Sequence, residues 1–196
     1  MDVLEKHVEL VKADNAVYSD SQAFLVLSWA GINQLSIREA AEQLKGCGYT
    51  VPSGDALLER LSKQPYEVLE DGFDDVLAEL LGRARQQQLF THPVIVAIDF
   101  TDIEYYGKEL PFIVTSQSKN GTNQFIRFAT IAVVEDGKRF TLKVLPVTPL
   151  SNTADIVREL ITYARQLVDI KVALFDRGFY SNAVIETVND LDERFV

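Results

Sequence analysis

The sequence predicts an α/β fold in which an all-helical N-terminal region precedes a mixed β-sheet. Apolar residues recur at helical spacing in residues 1–90, whereas those from Val94 onward form the short runs that are typical of buried strands. Two of these runs, at residues 94–98 and 172–175, each end on an aspartate. Apolar residues make up 47% of the 196 residues, which is enough for a sizeable core and excludes a disordered chain.

Serine caps mark the starts of the predicted helices. Ser36 precedes an apolar helical face and is followed three positions later by a glutamate, which is the spacing of a capping box. Ser53 is predicted to cap a second helix, and the apolar spacing predicts a third over residues 66–88. The glutamines and the proline that follow predict a domain boundary, with a helical region at 1–92 and the sheet at 93–196.

The two short helices predicted within residues 36–61 resemble a helix-turn-helix, in which the second helix reads DNA. Arg60 and Lys63 are the basic residues that this second helix would offer to DNA. Asp55 and Glu59 lie beside them, however, and two short helices with a glycine-containing turn are also common in helical bundles. The sequence leaves both interpretations open.

The second half of the sequence predicts five strands and two helices. An Asp-Gly pair separates the second strand from the third, and such a pair favours a tight hairpin turn. The order β-β-β-α-β-α-β is that of a ribonuclease-H-like sheet, in which the first and fourth strands lie side by side and parallel. The predicted elements are strands at 94–98, 125–134, 140–147 and 172–175, a helix capped by Thr153, a helix over 181–191, and the start of a strand at 194–196.

Asp99 and Asp176 are the candidate catalytic and metal-binding residues, because each closes one of the two strands that this order makes neighbours. Ligands of open α/β sheets collect at the carboxyl ends of the strands. Two carboxylates at that edge could share Mg²⁺ or Mn²⁺, hard cations that prefer oxygen ligands. Asp102 and Glu104 are expected in the turn after the first strand. Arg177 could contact a phosphate or pair with an exposed carboxylate.

Two segments resemble a known family: residues 98–107, IDFTDIEYYG, and residues 176–180, DRGFY. Together they are similar to the DDE transposases of prokaryotic insertion sequences, above all to the archaeal and largely haloarchaeal branch. The resemblance implies that Asp99 and Asp176 are the first two acidic residues of a catalytic triad that uses Mg²⁺ or Mn²⁺ to cleave and join DNA.

The same resemblance implies what the chain binds. The DNA partners would be the terminal repeats of the insertion sequence and the target DNA, and a homodimer is compatible with this function. The third acidic residue of the family is a glutamate in a Tyr-x-x-Arg-x-x-x-Glu pattern, and nothing in the sequence matches it. The expectation is therefore a truncated copy of a transposase.

Charge and cysteine content restrict the alternatives. The formal net charge of −10 argues against a generic nucleic-acid binder, although high acidity is also usual in hosts with a salt-rich cytosol. The single cysteine, Cys47, excludes an internal disulfide and a thiolate zinc cluster. No apolar stretch is long enough to span a bilayer, so a cytoplasmic protein without a membrane partner is expected.

Two functions other than that of a transposase are also compatible with the sequence. The missing third acidic residue favours a non-catalytic protein that binds DNA ends or full-length transposase and interferes with transposition. A phosphatase of the haloacid-dehalogenase type would use Asp99 as nucleophile and Asp102 as acid. That chemistry expects the second aspartate two positions after the first, whereas here it lies three positions after.

Overall fold

The computed structural model describes the chain at residues 2–12, 16–90, 92–108 and 110–196. The chain divides into two compact units, a helical unit that ends at Leu80 and a sheet unit that begins at Leu81. No helix within the described ranges is both long enough and apolar enough to cross a membrane.

Most helices of the helical unit begin at a polar cap. Ser36 and Ser53 each accept a hydrogen bond from the backbone amide three residues on, and the Ser36 cap is a complete capping box, as predicted. A further capping box at Ser19 begins an earlier helix. The helices of this unit are α1 (Asp2–His7), α2 (Asp20–Asn33), α3 (Ile37–Gly46), α4 (Gly54–Ser62) and the first part of α5 (Tyr66–Gln86).

One apolar core holds the helical unit together. Phe24, Val26 and Leu57 are almost completely buried in it. Helices α3 and α4, the predicted pair of short helices, approach each other closely at their first turns. A Cβ atom on Gly54 would lie 2.6 Å from the Cα atom of Arg38, so only glycine fits at this position without a shift.

The sheet unit contains a five-stranded mixed sheet. Its strands are β1 (Val94–Glu104), β2 (Val114–Lys119), β3 (Thr122–Glu135), β4 (Lys138–Val147) and β5 (Ile170–Phe175), and its further helices are α6 (Thr153–Leu167) and α7 (Asn182–Asp190). Strand β3 pairs antiparallel with β1, β2 and β4, and β1 pairs parallel with β5. This confirms the predicted ribonuclease-H-like arrangement. Phe195 forms a parallel bridge with Ala173, where a further strand was predicted to start.

The first strand is longer than predicted. β1 continues beyond Ile98 to Glu104, because β3 pairs with it as far as Phe125. Asp99 therefore lies inside β1 and not at its end. The prediction that Asp102 and Glu104 lie in a turn is wrong, since both belong to the strand.

One further strand and one helix cap differ from the prediction. Strand β2 was not predicted, because its sequence VTSQSK carries too few apolar residues to indicate a strand. A turn at Asn120 and Gly121 joins it to β3, with φ values of 49° and 86°. Helix α6 is capped by Asn152 and not by Thr153, because the Asn152 side chain accepts a hydrogen bond from the Ala154 amide at 2.8 Å.

The core of the sheet unit lies on one face of the sheet. Alternate residues of β1 (Val94, Val96 and Ile98) are buried there, together with Ala173 of β5 and the apolar residues of α6 and α7. Because side chains alternate along a strand, Asp99 lies at a position of the opposite face and is exposed.

Candidate active site

The register of β1 and β5 places the two aspartates at neighbouring main-chain positions on adjacent strands. Val96 pairs with Ala173, and the last paired residues are Ile98 and Phe175. Asp99 and Asp176 each follow these last paired residues directly. Since neighbouring strands lie about 4.8 Å apart, the two main chains are close at this point.

Both aspartate side chains are exposed and held in the same way. The Asp99 carboxylate accepts a hydrogen bond from the Phe100 amide at 2.8 Å, and the Asp176 carboxylate accepts one from the Arg177 amide at 2.6 Å. Asp176 thereby caps the short 3₁₀ turn at Arg177–Phe179. An ionised carboxylate has about four acceptor positions, so each group still has capacity to bind a cation.

A stack of aromatic rings lies beside the aspartates. The rings of Phe100 and Phe179 are nearly parallel, with 4.2 Å between their centroids. Phe175 meets Phe179 at 5.9 Å in a tilted arrangement. Phe179 is only 2% exposed, so it anchors the turn that follows Asp176 in the core.

Asp102 forms an ion pair inside the sheet. Its carboxylate accepts two hydrogen bonds from the Arg127 guanidinium, at 2.6 Å and 2.8 Å, across the β1–β3 pairing. These hydrogen bonds are the main reason why the pKa of Asp102 lies below its ordinary value. Asp102 therefore stays ionised near neutral pH, which does not suit the general acid of a phosphatase.

The described residues place no third metal ligand beside the two aspartates. In the described part of the chain, no three His, Cys, Asp or Glu residues form a group that could hold a metal ion. Asp102 is occupied by Arg127, and Glu104 accepts a hydrogen bond from the Asn120 side chain at 2.7 Å. The oxygen donors of Asp99 and Asp176 fit Mg²⁺ or Mn²⁺ in kind, but they supply only part of a coordination shell.

A cavity of about 300 Å³ lies next to Asp176. Asp176 and Arg177 line it together with mostly apolar residues, among them Phe175, Phe179 and Phe195, and Asp99 is not among the residues that line it. Arg177 is exposed, as a contact with DNA would require.

The other two candidate DNA contacts lie in the helical unit. Arg60 donates hydrogen bonds to the Val11 carbonyl at 2.7 Å and the Leu10 carbonyl at 3.1 Å, and its guanidinium also pairs with Asp20. Its side chain is only 15% exposed, so its guanidinium serves the fold of the helical unit. Lys63 is exposed, although it pairs with Glu59 at 2.7 Å.

Comparison with known proteins shows that the fold of this chain is similar to that of a solved structure. No family model matches the sequence, and no curated protein matches it either. Among solved structures, a piggyBac transposase synaptic complex with hairpin DNA matches 100% of this chain and 47% of its own, at 13% identity and a TM-score of 0.53. The chain shares the fold of that transposase. It spans about half of that transposase's length.

Structures of the Mos1 transposase are similar at a lower level. They include a paired-end complex with the left transposon end and a mariner paired-end complex with Mn, each at 17% identity and a TM-score of 0.30. They match 95% of this chain and 60% and 61% of their own chains.

Proposed function

We propose that this chain is part of a DDE transposase, and that Asp99 and Asp176 bind the divalent cation, Mg²⁺ or Mn²⁺, at its DNA-cleaving site. The observation that carries the proposal is the register of β1 and β5, because both aspartates follow the last residue pair of adjacent parallel strands. The fold shared with the piggyBac transposase supports it.

The two carboxylates suit such chemistry. A divalent cation supplies charge neutralisation at the phosphate and activates the attacking oxygen of an in-line displacement. Asp99 and Asp176 would hold the cation, and the amides of the following residues fix the orientation of both carboxylates. Arg177, which is exposed beside Asp176, would contact the DNA phosphate.

The motifs at residues 98–107 and 176–180 support a more specific proposal. The element would be a prokaryotic insertion sequence of the haloarchaeal kind, and its terminal repeats and target DNA would be the partners, in the cytoplasm of the host. Residues 1–92 would form a DNA-binding region and residues 93–196 the catalytic region, with a homodimer joining the two element ends. A third carboxylate would complete the site from outside the described residues.

Nicking of supercoiled plasmid DNA in Mn²⁺ tests this function. The wild-type chain is expected to nick weakly, since its described residues offer no third carboxylate at the site. Asp99→Asn and Asp176→Asn should each remove the Mn²⁺-dependent nicking. Asp136→Asn is the matched control, because Asp136 is exposed in the β3–β4 turn, where asparagine is equally favourable. Nicking that is equal in all four proteins would contradict the proposal.

A second candidate function is a non-catalytic protein that binds DNA ends or full-length transposase. The observation that favours it is the absence of a three-ligand metal group in the described ranges. A gel-shift titration beside the nicking assay separates the two functions. Binding of DNA without nicking in Mn²⁺ would support this second function against the first.

A further inference from the structure

One buried ring contacts the sequence neighbours of both aspartates. Phe179 stacks on Phe100, the residue after Asp99, and also meets Phe175, the residue before Asp176. Among residues 176–180, Phe179 alone is buried. The turn that carries Asp176 therefore depends on this ring for its attachment to the sheet.

The other side of the stack is also held in place. The Phe100 ring lies 5.2 Å from the Arg127 guanidinium carbon, and Asp102 fixes that guanidinium through two hydrogen bonds. Phe100 belongs to a strand that is paired along its whole length with β3 or β5. Phe179 thus rests on a rigid support, whereas the turn itself is short and exposed.

We propose that Phe179 is a positioning residue, which holds the Asp176 turn against β1 so that the Asp176 carboxylate stays beside Asp99 for a shared metal ion. The inference rests on the proposed function, because it assumes that the two aspartates bind one cation. A ligand that is displaced by a fraction of an ångström binds its metal poorly, since restoring the correct geometry costs free energy. Removing the stacked ring would therefore weaken metal binding without removing a ligand.

The test compares Phe179→Leu with Phe125→Leu. Phe125 is also 2% exposed and lies in the same sheet, where it pairs with Glu104 and Val114 far from the aspartates. Mn²⁺ affinity is measured by the relaxation of water protons, and circular dichroism checks that each variant is folded. Phe179→Leu should weaken Mn²⁺ binding roughly 10-fold to 100-fold, the usual loss when the support of a metal ligand is removed. Phe125→Leu should leave the affinity unchanged.

Backbone cleavage by bound Fe²⁺, with hydrogen peroxide as the oxidant and ascorbate as the reductant that regenerates Fe²⁺, gives a second measurement, which reports the position of each ligand and not the stability of the fold. The wild-type chain should be cut near both Asp99 and Asp176, while Phe179→Leu should lose one of the two cuts or both. If Phe179→Leu does not fold, Phe100→Leu removes the stack from the other ring.

The outcomes separate this inference from the proposed function. Mn²⁺ binding that depends on both aspartates but is unchanged in Phe179→Leu, or equally weakened in Phe125→Leu, would overturn the positioning role alone. A wild-type chain that binds no Mn²⁺, or binds it equally well after Asp99→Asn and Asp176→Asn, would overturn both.

Discussion

Ile98 and Phe175 are the last paired residues of the parallel strands β1 and β5, and each is followed directly by an aspartate. Adjacent strands are about 4.8 Å apart, while a carboxylate oxygen binds Mg²⁺ at about 2.1 Å. Two carboxylates that start from neighbouring main-chain positions can therefore reach one cation. The pairing of two apolar residues thus places the two aspartates at neighbouring main-chain positions.

Sharing of one ion predicts that the two aspartates are energetically coupled. Asp99→Asn and Asp176→Asn should each abolish most of the Mn²⁺ affinity, and the double variant should add little. The loss of Mn²⁺ binding free energy in the double variant should be smaller than the sum of the two single losses by about 0.5–3 kcal/mol, which is the range for residues that interact directly. Calorimetric titration of the four proteins measures this, and strictly additive losses would mean two separate ions.

The Asp102–Arg127 pair predicts a pH-dependent contribution to stability. Its hydrogen bonds lower the pKa of Asp102 in the folded chain. The pair is therefore fully stabilising above the unfolded pKa of about 3.9, and this stabilisation is lost as the pH falls through the lower folded pKa. Asp102→Asn should lower the free energy of unfolding by about 1–3 kcal/mol at neutral pH.

Denaturant unfolding over a series of pH values measures this contribution. The difference between wild type and Asp102→Asn should shrink below about pH 4, where the Asp102 carboxyl takes up its proton first in the unfolded chain and, at lower pH, in the folded chain. Asp190→Asn is the control, because Asp190 forms an exposed pair with Arg158 at 3.2 Å and should cost less than about 1 kcal/mol. A difference that stays constant down to the lowest pH would refute the explanation.

Arg60 is predicted to stabilise the helical unit. Arg60→Lys keeps the charge but cannot reproduce the separate bonds to Leu10, Val11 and Asp20, so it should cost about 1–3 kcal/mol of unfolding free energy. Lys63→Ala should change the stability by less than about 1 kcal/mol, since its pair with Glu59 is exposed. Thermal unfolding of both variants measures these changes in stability. An Arg60→Lys variant that is as stable as wild type but binds DNA more weakly would contradict the structural role of Arg60.

Two glycines should respond to alanine with opposite signs. Gly121 has φ at +86° in the β2–β3 turn, so Gly121→Ala should destabilise the chain by about 1 kcal/mol or more. Gly82 lies within helix α5 with open space around a Cβ atom, so Gly82→Ala should stabilise it by up to about 1 kcal/mol. Chemical unfolding curves of the two variants measure both effects. A stabilising Gly121→Ala would refute the assignment of the turn, and a destabilising Gly82→Ala would refute the open space in the helix.

Local sequence signals were sufficient where a short-range interaction determines the structure. The caps at Ser36 and Ser53 act within three residues of their own position, and the apolar run before Asp176 forms strand β5, in which Ala173 is fully buried. The parallel pairing of the two aspartate-bearing strands followed from the order of elements and the preferred handedness of their connection.

The remaining features depend on partners that are distant in sequence. Asp102 lies in a strand because β3 pairs with β1 and supplies Arg127, and nothing near Asp102 indicates this. Arg60 binds carbonyls from the segment before α2, so its role could not be read from its own helix. Phe179 is buried although the residues around it are exposed, and the only local sign of this in the sequence is an apolar ring within the segment DRGFYS.

The hydrogen bond from the Arg177 amide to the Asp176 side chain gives that aspartate two tasks, one as the cap of a turn and one as the proposed ligand. Asparagine also caps well, because its side-chain carbonyl oxygen can accept the same bond, but it carries no charge. Alanine would remove the cap and the charge together. Substitution by alanine at this position would therefore confuse a loss of folding with a loss of chemistry, whereas asparagine separates the two.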